Sequence, residues 1–207
     1  MAEASVKIAF EQPASFEFSP ENLKKAQWHI AKYPKGREQS AVMPLLWLAQ
    51  QQNDNWISQA AIEYIASMLN MPKIRVMEVV SFYTQFNTAP RGKYHLQCCT
   101  TTPCWLRGSD EVLRAVKDVA GIVPGQTSAD GMFTLTEVEC LGACCNAPMM
   151  EVNDHAGSDV YYEDLNYANT RDLLNNLKAG QAVKVGSQTG RITSEPVGGL
   201  TTLKENA

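Results

Sequence analysis

The 207-residue chain lacks the features that mark two large classes of protein. Its longest apolar run covers only residues 41–49, whereas a membrane-spanning helix needs ~20 consecutive apolar residues. Its 18 Lys and Arg residues are scattered along the chain beside 22 Asp and Glu residues, for a net charge of −4. Nucleic-acid binding requires clustered positive charge. We therefore expect no direct membrane insertion and no nucleic-acid partner.

Residues 1–18 lack the features of a targeting segment and are predicted to form an extended N-terminal arm. They include Glu3 and Glu11 and no Arg, so they resemble neither a secretory signal nor a mitochondrial transit peptide. The thiols of a chain that stays in the cytosol are kept reduced. Clustered cysteines in such a chain more often hold metal than form disulfides.

Several catalytic and cofactor-binding motifs are also missing. No G-x-G-x-x-G follows a predicted strand, which excludes a dinucleotide fingerprint. The C-x-x-C motif of a thioredoxin-type dithiol is absent. The sequence contains no recognisable nucleophile–base pair or paired-carboxylate site. We therefore predict no catalytic residues and no bond-making chemistry in this chain.

What the chain does have is six cysteines, all of them between residues 98 and 145. They form two groups, the first with Cys98, Cys99 and Cys104 and the second with Cys140, Cys144 and Cys145. Structural zinc sites favour two-residue gaps within each pair and a shorter separation between pairs than the 35 residues found here. A Rieske centre needs two histidines beside the cysteines. The three histidines of this chain are instead scattered.

Four thiolates spread over two loops suit a [2Fe–2S] cluster, because each of its two irons takes two sulfur ligands. The four-residue gap in the first group also occurs in plant-type ferredoxins, but their next cysteine, two residues further on, is missing here. The spacing alone therefore favours a [2Fe–2S] cluster over zinc without excluding zinc.

Hydrophobic periodicity predicts a change of architecture near residue 90. Residues 19–90 read as a helical bundle, with helices over about 19–33, 40–51, 58–70 and 72–86 and N-caps at Ser19 and Ser58. Residues 91–180 read as an α/β layer in the order β-α-β-β-β-α. Its strands are predicted at 93–99, 133–136, 149–152 and 160–163, and its helices at 109–121, with Ser109 as N-cap, and 168–180.

Two further parts of the chain have specific predictions. In the strand 93–99, alternation puts Cys98 on the core face with Leu96, and Cys99 on the opposite face of a half-buried strand. Residues 181–207 have no period and are predicted to be either a disordered end or an extended tail that docks on a partner. Val197, Leu200 and Leu203 are its candidate anchors.

The segments CTTTPCWLRGSDEVL (99–113) and VECLGACCNAPMMEVN (138–153) resemble the [2Fe–2S] subunit of respiratory complex I. The resemblance extends to AVMPLLWLAQ, VVSFYTQF, YYEDL and SEPVGGLTTL, and so covers nearly the whole chain. It implies an α/β thioredoxin-like [2Fe–2S] ferredoxin domain preceded by an all-α helical bundle.

Carried over residue by residue, the resemblance implies that Cys99, Cys104, Cys140 and Cys144 bind the cluster. Cys98 and Cys145 depart from the family pattern, and counting alone would allow Cys145 in place of Cys144. The small Gly142 and Ala143 are expected to bring backbone N–H groups near the sulfurs. Arg107 follows Cys104 closely enough to add positive charge or to lie on the solvated surface.

The function implied by the resemblance is that of an electron-transfer subunit in a proton-translocating NADH:quinone oxidoreductase. One [2Fe–2S] cluster in this chain would lie next to the flavin of a partner. FMN and NADH would be bound by that flavoprotein subunit, with other peripheral-arm subunits as further partners. The expected location is peripheral, on the cytoplasmic side of a bacterial inner membrane, or the matrix side in a processed eukaryotic homologue.

Two alternative functions remain compatible with the cysteine motifs. One is the diaphorase subunit of a NAD-linked hydrogenase or formate dehydrogenase. The other is a free-standing thioredoxin-like ferredoxin that moves between soluble enzymes, although such a carrier would need neither the helical residues 19–86 nor the long tail.

Overall fold

The computed structural model describes residues 11–155, 157–199 and 201–202. The chain divides into two compact units between Arg91 and Gly92. Most of the predicted N-terminal arm and two of the three candidate tail anchors, Leu200 and Leu203, lie outside the described residues. Within these residues, no helix is both long and apolar enough to cross a membrane.

The N-terminal unit is helical. It contains α1 (Pro20–Ala31), a 3-10 turn (Glu38–Ala41), α2 (Val42–Gln52), α3 (Gln59–Met68) and α4 (Lys73–Phe82). The predicted N-caps are confirmed, since the hydroxyls of Ser19 and Ser58 each accept a backbone hydrogen bond from the third residue after them. Apolar side chains of all four helices form one core, in which Leu45, Leu46 and Ile65 are fully buried.

The fourth helix is shorter than predicted, because it ends at Phe82 rather than at residue 86. The reason is a buried glutamine on α2. Gln50 is 2% exposed, and its amide donates to the Gln85 carbonyl at 3.0 Å and accepts from the Asn87 N–H at 2.7 Å. A buried amide needs hydrogen-bond partners. The Gln85 carbonyl and the Asn87 N–H serve as these partners, and the backbone around them is therefore not helical.

The C-terminal unit is built on a five-stranded mixed sheet. Its strands are β1 (Tyr94–Cys99), β2 (Phe133–Val138), β3 (Met150–Asp154), β4 (Asp159–Glu163) and β5 (Gly186–Ser187). They lie in the order β2-β1-β3-β4-β5. Strand β1 pairs parallel with β2 and antiparallel with β3. Strand β4 pairs antiparallel with β3 and parallel with β5.

Three helices accompany the sheet: α5 (Thr102–Leu106), α6 (Ser109–Ala120) and α7 (Tyr167–Lys178). Apolar residues of α6 and α7 share a core with one face of the sheet, including Leu96, Val116 and Leu173. The short α5 and the edge strand β5 were not predicted. Each is too short for a hydrophobic period to be recognised in the sequence.

Two local predictions in this unit are wrong. The N-cap of α6 is Gly108, at φ +96°, while Ser109 is the first residue of the helix and has a fully buried side chain. Strand β1 is not half-buried, because side chains on its second face are also covered. On that face His95 is 4% and Cys99 is 1% exposed.

The helical core of the N-terminal unit generates a stability prediction. Leu46→Ala, at a position with 0% exposure, should lower the free energy of unfolding by about 2–5 kcal/mol, because the cavity cannot fully collapse. The measurement is urea denaturation followed by circular dichroism.

Ile74→Ala is the matched control, since Ile74 is also helical but 63% exposed. It should change the free energy of unfolding by no more than about 0.5 kcal/mol. Equal effects of the two substitutions would contradict the packing described here.

Candidate metal centre

Parallel pairing of β1 with β2 sets the position of both cysteine groups. The two strands end in register, with Cys99 opposite Val138, and parallel strands end at the same edge of a sheet. From β1 the chain enters α5, which carries Cys104. From β2 it enters the loop that carries Cys140 and Cys144. Two groups separated by 35 residues in the sequence therefore meet at one sheet edge.

The first pair of thiols is buried. Cys99 and Cys104 are each 1% exposed, and their side chains form a hydrogen bond. Met149 contacts both residues through its backbone: its N–H donates to the Cys104 sulfur, and its carbonyl accepts from the Cys99 N–H at 3.3 Å. Burial, followed by the hydrogen bond with Cys99, raises the pKa of the Cys104 thiol to about 12.

The second pair is exposed. The Sγ atoms of Cys140 and Cys144 lie 3.2 Å apart. Gly142 adopts φ +88°, a conformation that favours glycine, and its N–H donates to the Cys140 sulfur. This hydrogen bond, and then the one with Cys144, lowers the pKa of Cys140. The same hydrogen bond between the two thiols, followed by partial loss of contact with water, raises the pKa of Cys144.

Thr101 links the two pairs. The Thr101 hydroxyl lies 3.2 Å from the Cys99 Sγ and also forms a hydrogen bond with the Cys140 side chain. The neighbouring Cys144 contributes to the raised pKa of Cys104, and the neighbouring Cys99 contributes to that of Cys144. The structure thus brings together the four cysteines to which the family resemblance points.

The remaining two cysteines lie elsewhere. Cys98 is fully buried in the core that Leu96 shares with α6 and α7, as the alternation of the strand predicts. Its pKa is raised to about 12 by burial and then by the neighbouring thiols of Cys104 and Cys99. Cys145 is exposed, and its carbonyl accepts a hydrogen bond from Arg191 at 3.0 Å.

This donor set fits a two-iron cluster. A [2Fe–2S] cluster takes two thiolates on each iron, and the site offers one buried and one exposed pair. Backbone N–H groups of Met149 and Gly142 already point at two of the sulfurs, and such hydrogen bonds tune cluster potentials. Across the described chain, no three His, Cys, Asp or Glu side chains are arranged to hold a single metal ion.

Several residues of the site were not predicted from the sequence. The Tyr161 hydroxyl donates to the Leu141 carbonyl at 3.0 Å and so fixes the second cysteine loop. Thr101 lies between the two cysteines of CTTTPC, so the sequence already placed its hydroxyl close to the proposed ligands. Tyr161 has no local signal, because it reaches the loop only through the pairing of β4. Arg107 is exposed, and the arginine that contacts the second loop is Arg191.

Comparison with known proteins identifies the family. The family model of the thioredoxin-like [2Fe–2S] ferredoxin matches residues 26–178. Over 190 residues the chain is 48% identical to NADH dehydrogenase (ubiquinone) flavoprotein 2, mitochondrial, of Dictyostelium discoideum, covering 92% of this chain and 75% of that protein. Over 160 residues it is 50% identical to an NADH-quinone oxidoreductase subunit of Rickettsia typhi, covering 77% of this chain and 91% of the relative.

A solved structure shares the fold. A NAD+-reducing [NiFe]-hydrogenase in the H2-reduced state superposes with a TM-score of 0.56 at 20% identity, over 67% of this chain and 23% of the hydrogenase chain. The present chain thus spans about a quarter of that protein, and the likeness concerns the fold alone. The resemblance carried by the cysteine motifs is confirmed by the family model and by these relatives. The chain belongs to the thioredoxin-like [2Fe–2S] ferredoxin family.

Proposed function

We propose that this chain is the electron-transfer subunit of an NADH:quinone oxidoreductase. The observation that carries the proposal is the convergence of two cysteine pairs at one sheet edge. Relatives named as NADH-quinone oxidoreductase subunits, about half identical over most of their length, support it. The chain itself offers free thiols as ligands.

In this proposal Cys99, Cys104, Cys140 and Cys144 hold one [2Fe–2S] cluster. When bound, the cluster supplies one-electron transfer, whereas oxidation of NADH requires a flavin that accepts a hydride. FMN and NADH therefore belong to a partner flavoprotein subunit. The residues of this chain bind the irons, direct N–H groups at the sulfurs and shield the first pair from water.

The exposed side of the site is the proposed contact with that partner. Cys140 and Cys144 lie at the surface, while Cys99 and Cys104 are buried. Next to Cys104, α5 exposes two large apolar side chains, Trp105 at 59% and Leu106 at 71%. Exposed apolar groups beside a redox centre are suited to docking a protein surface that excludes water.

The same proposal assigns roles to the rest of the chain. The helical residues 19–90 form a bundle that precedes the thioredoxin-like domain at 91–180. The tail, residues 181–207, docks on another peripheral-arm subunit, and the 74% exposed Val197 is available for that contact. The complex holds the chain at the membrane surface, on the cytoplasmic or matrix side.

The first prediction concerns the cluster and its ligands. The anaerobically purified chain should contain about two irons and two acid-labile sulfides, and reduction should give the EPR signal of a [2Fe–2S] centre. Alanine at Cys99, Cys104, Cys140 or Cys144 should destroy or strongly destabilise the cluster, since an iron loses a ligand. Alanine is preferred to serine because a serine oxygen can itself bind iron.

Cys98→Ala and Cys145→Ala are the matched controls, because each removes a neighbouring thiol outside the proposed ligand set. Both variants should retain iron, sulfide and the EPR signal. Zinc in place of iron in the native chain, or cluster loss in the Cys145 variant alone, would contradict the proposal.

The second prediction concerns the pH dependence of the free thiols. In the metal-free chain Cys140, with its lowered pKa, should react first with iodoacetamide as pH rises. Cys104, with a pKa of about 12, should remain protonated through neutral pH and react roughly 100-fold more slowly, because the thiolate is the nucleophile. Peptide mapping by mass spectrometry gives both rates. Equal rates at pH 8 would show that the site is not formed without metal.

The third prediction separates the proposal from a second candidate, the diaphorase subunit of a NAD-linked hydrogenase or formate dehydrogenase. That candidate is favoured only by the fold shared with the hydrogenase chain. The complex is purified by an affinity tag on this chain. Mass spectrometry of it should find an FMN-binding flavoprotein together with quinone-reductase membrane subunits. Co-purification of a nickel- or molybdenum-containing subunit instead would favour the second candidate. A truncated chain that lacks residues 1–86 and 181–207 and is still fully active as a monomer would favour a free-standing ferredoxin.

A further inference from the structure

Arg191 connects the C-terminal segment, residues 186–199, to the loop of the second cysteine pair. Its guanidinium donates through Nε to Asp164 Oδ2 at 2.9 Å and through Nη2 to Asp164 Oδ1. Nη1 donates to the Glu195 carbonyl at 2.8 Å, and Nη2 also reaches the Cys145 carbonyl at 3.0 Å. The side chain is only 9% exposed. An exposed loop is therefore held by an arginine whose side chain is largely shielded from water.

Asp164 anchors this arginine. It directly follows β4, and its N–H donates to the Asn146 carbonyl at 2.7 Å. Its carboxylate also accepts from the Ser187 hydroxyl at 2.6 Å. Burial opposes ionisation of this carboxyl, but hydrogen bonds from Arg191 and Ser187 outweigh the burial and lower its pKa. The pair is therefore charged at neutral pH, with the two-pronged geometry that gives arginine–carboxylate contacts their directionality.

The residues after Cys145 are held as well. Asn146 is 3% exposed, and its amide donates to the Glu163 carboxylate at 2.6 Å and to the Thr193 carbonyl at 2.7 Å. The Pro148 carbonyl accepts from the Leu165 N–H at 3.0 Å. The 3-10 turn Cys144–Asn146 is thus tied to the end of β4 on one side and to the C-terminal segment on another.

This attachment bears on which of two adjacent thiols faces Cys140. In the structure the Cys144 Sγ lies 3.2 Å from the Cys140 Sγ, while the carbonyl of Cys145 points at Arg191. For the Cys145 sulfur to take the place of the Cys144 sulfur, the backbone of the turn must rotate. That rotation withdraws the Cys145 carbonyl from the guanidinium.

We propose that Arg191, by holding the Cys145 carbonyl, selects Cys144 rather than Cys145 as the cysteine that pairs with Cys140. Arg191 is thus a positioning residue of the metal centre, and the C-terminal segment is part of that centre. The inference rests on the proposed cluster function of the four cysteines. Without this hydrogen bond the Cys145 peptide can rotate while Asn146 stays anchored, and the turn then presents either sulfur towards Cys140.

The experiment measures the dependence of the cluster on each thiol in two backgrounds of the full-length chain. The altered background is Arg191→Met with Asp164→Asn, so that no unpaired buried carboxylate remains. In the native background Cys144→Ala should lose its cluster rapidly to a chelator. In the altered background the cluster of Cys144→Ala should survive about tenfold longer, because Cys145 replaces the missing ligand.

A second measurement uses the native Cys144. Cys145→Ala should leave the visible circular dichroism and EPR spectra unchanged in the native background and alter them in the Arg191→Met, Asp164→Asn background. Arg107→Met is the control for the loss of an arginine that does not hold the loop, since Arg107 is exposed. Combined with Cys144→Ala it should give the same rapid cluster loss as Cys144→Ala alone.

Far-ultraviolet circular dichroism shows whether the double variant folds. If it does not, Arg191→Lys is the milder variant to use. A lysine pairs with Asp164 but lacks the second arm of the guanidinium, so the same shift towards Cys145 is expected to a smaller extent. Cluster loss from Cys144→Ala that is equally fast in all backgrounds overturns the inference. Absence of a [2Fe–2S] cluster from the native chain overturns the proposed function instead.

Discussion

The parallel pairing of β1 with β2 is the constraint on which the site depends. Each cysteine group follows directly from one of these strands, and the register places Cys99 level with Val138. Antiparallel pairing would have sent the two groups to opposite ends of the sheet. A parallel neighbour requires a crossover, which α5 and α6 provide here. The same segment that makes the crossover also carries Cys104.

The two cysteine pairs at this edge have different surroundings. The first pair is enclosed by the strand, by α5 and by the backbone of Met149. The second pair is on a loop at the surface, where hydrogen bonds from Tyr161 and Arg191 to backbone carbonyls add to the packing of Leu141 and Ala143 against the first pair. A redox centre benefits from both properties. The buried side excludes water, and the exposed side permits approach of a partner.

Much of this arrangement could be predicted from local signals. The strand bearing Cys98 and Cys99 has a clear alternation, which correctly places Cys98 towards the core. Gly142 is small and has no Cβ, so its role in bringing an N–H to a sulfur was also foreseeable. The early end of α4 was not, because it depends on Gln50, which lies more than thirty residues away in the chain. Ser109 is a favourable N-cap residue, yet Gly108 occupies that position. The burial of the Ser109 side chain outweighs its local preference for the N-cap.

By itself the sequence predicted the chemistry of this protein: four cysteines at family spacing and two loops to carry them. Those properties depend on residue type and spacing, which the sequence contains in full. Only the tertiary structure decided how the second loop is held. Tyr161 and Arg191 lie 20 and 46 residues from the carbonyls that they bind. Such contacts exist only after the sheet has paired and the C-terminal segment has returned to it, since hydrogen-bond geometry between distant residues has no local signature.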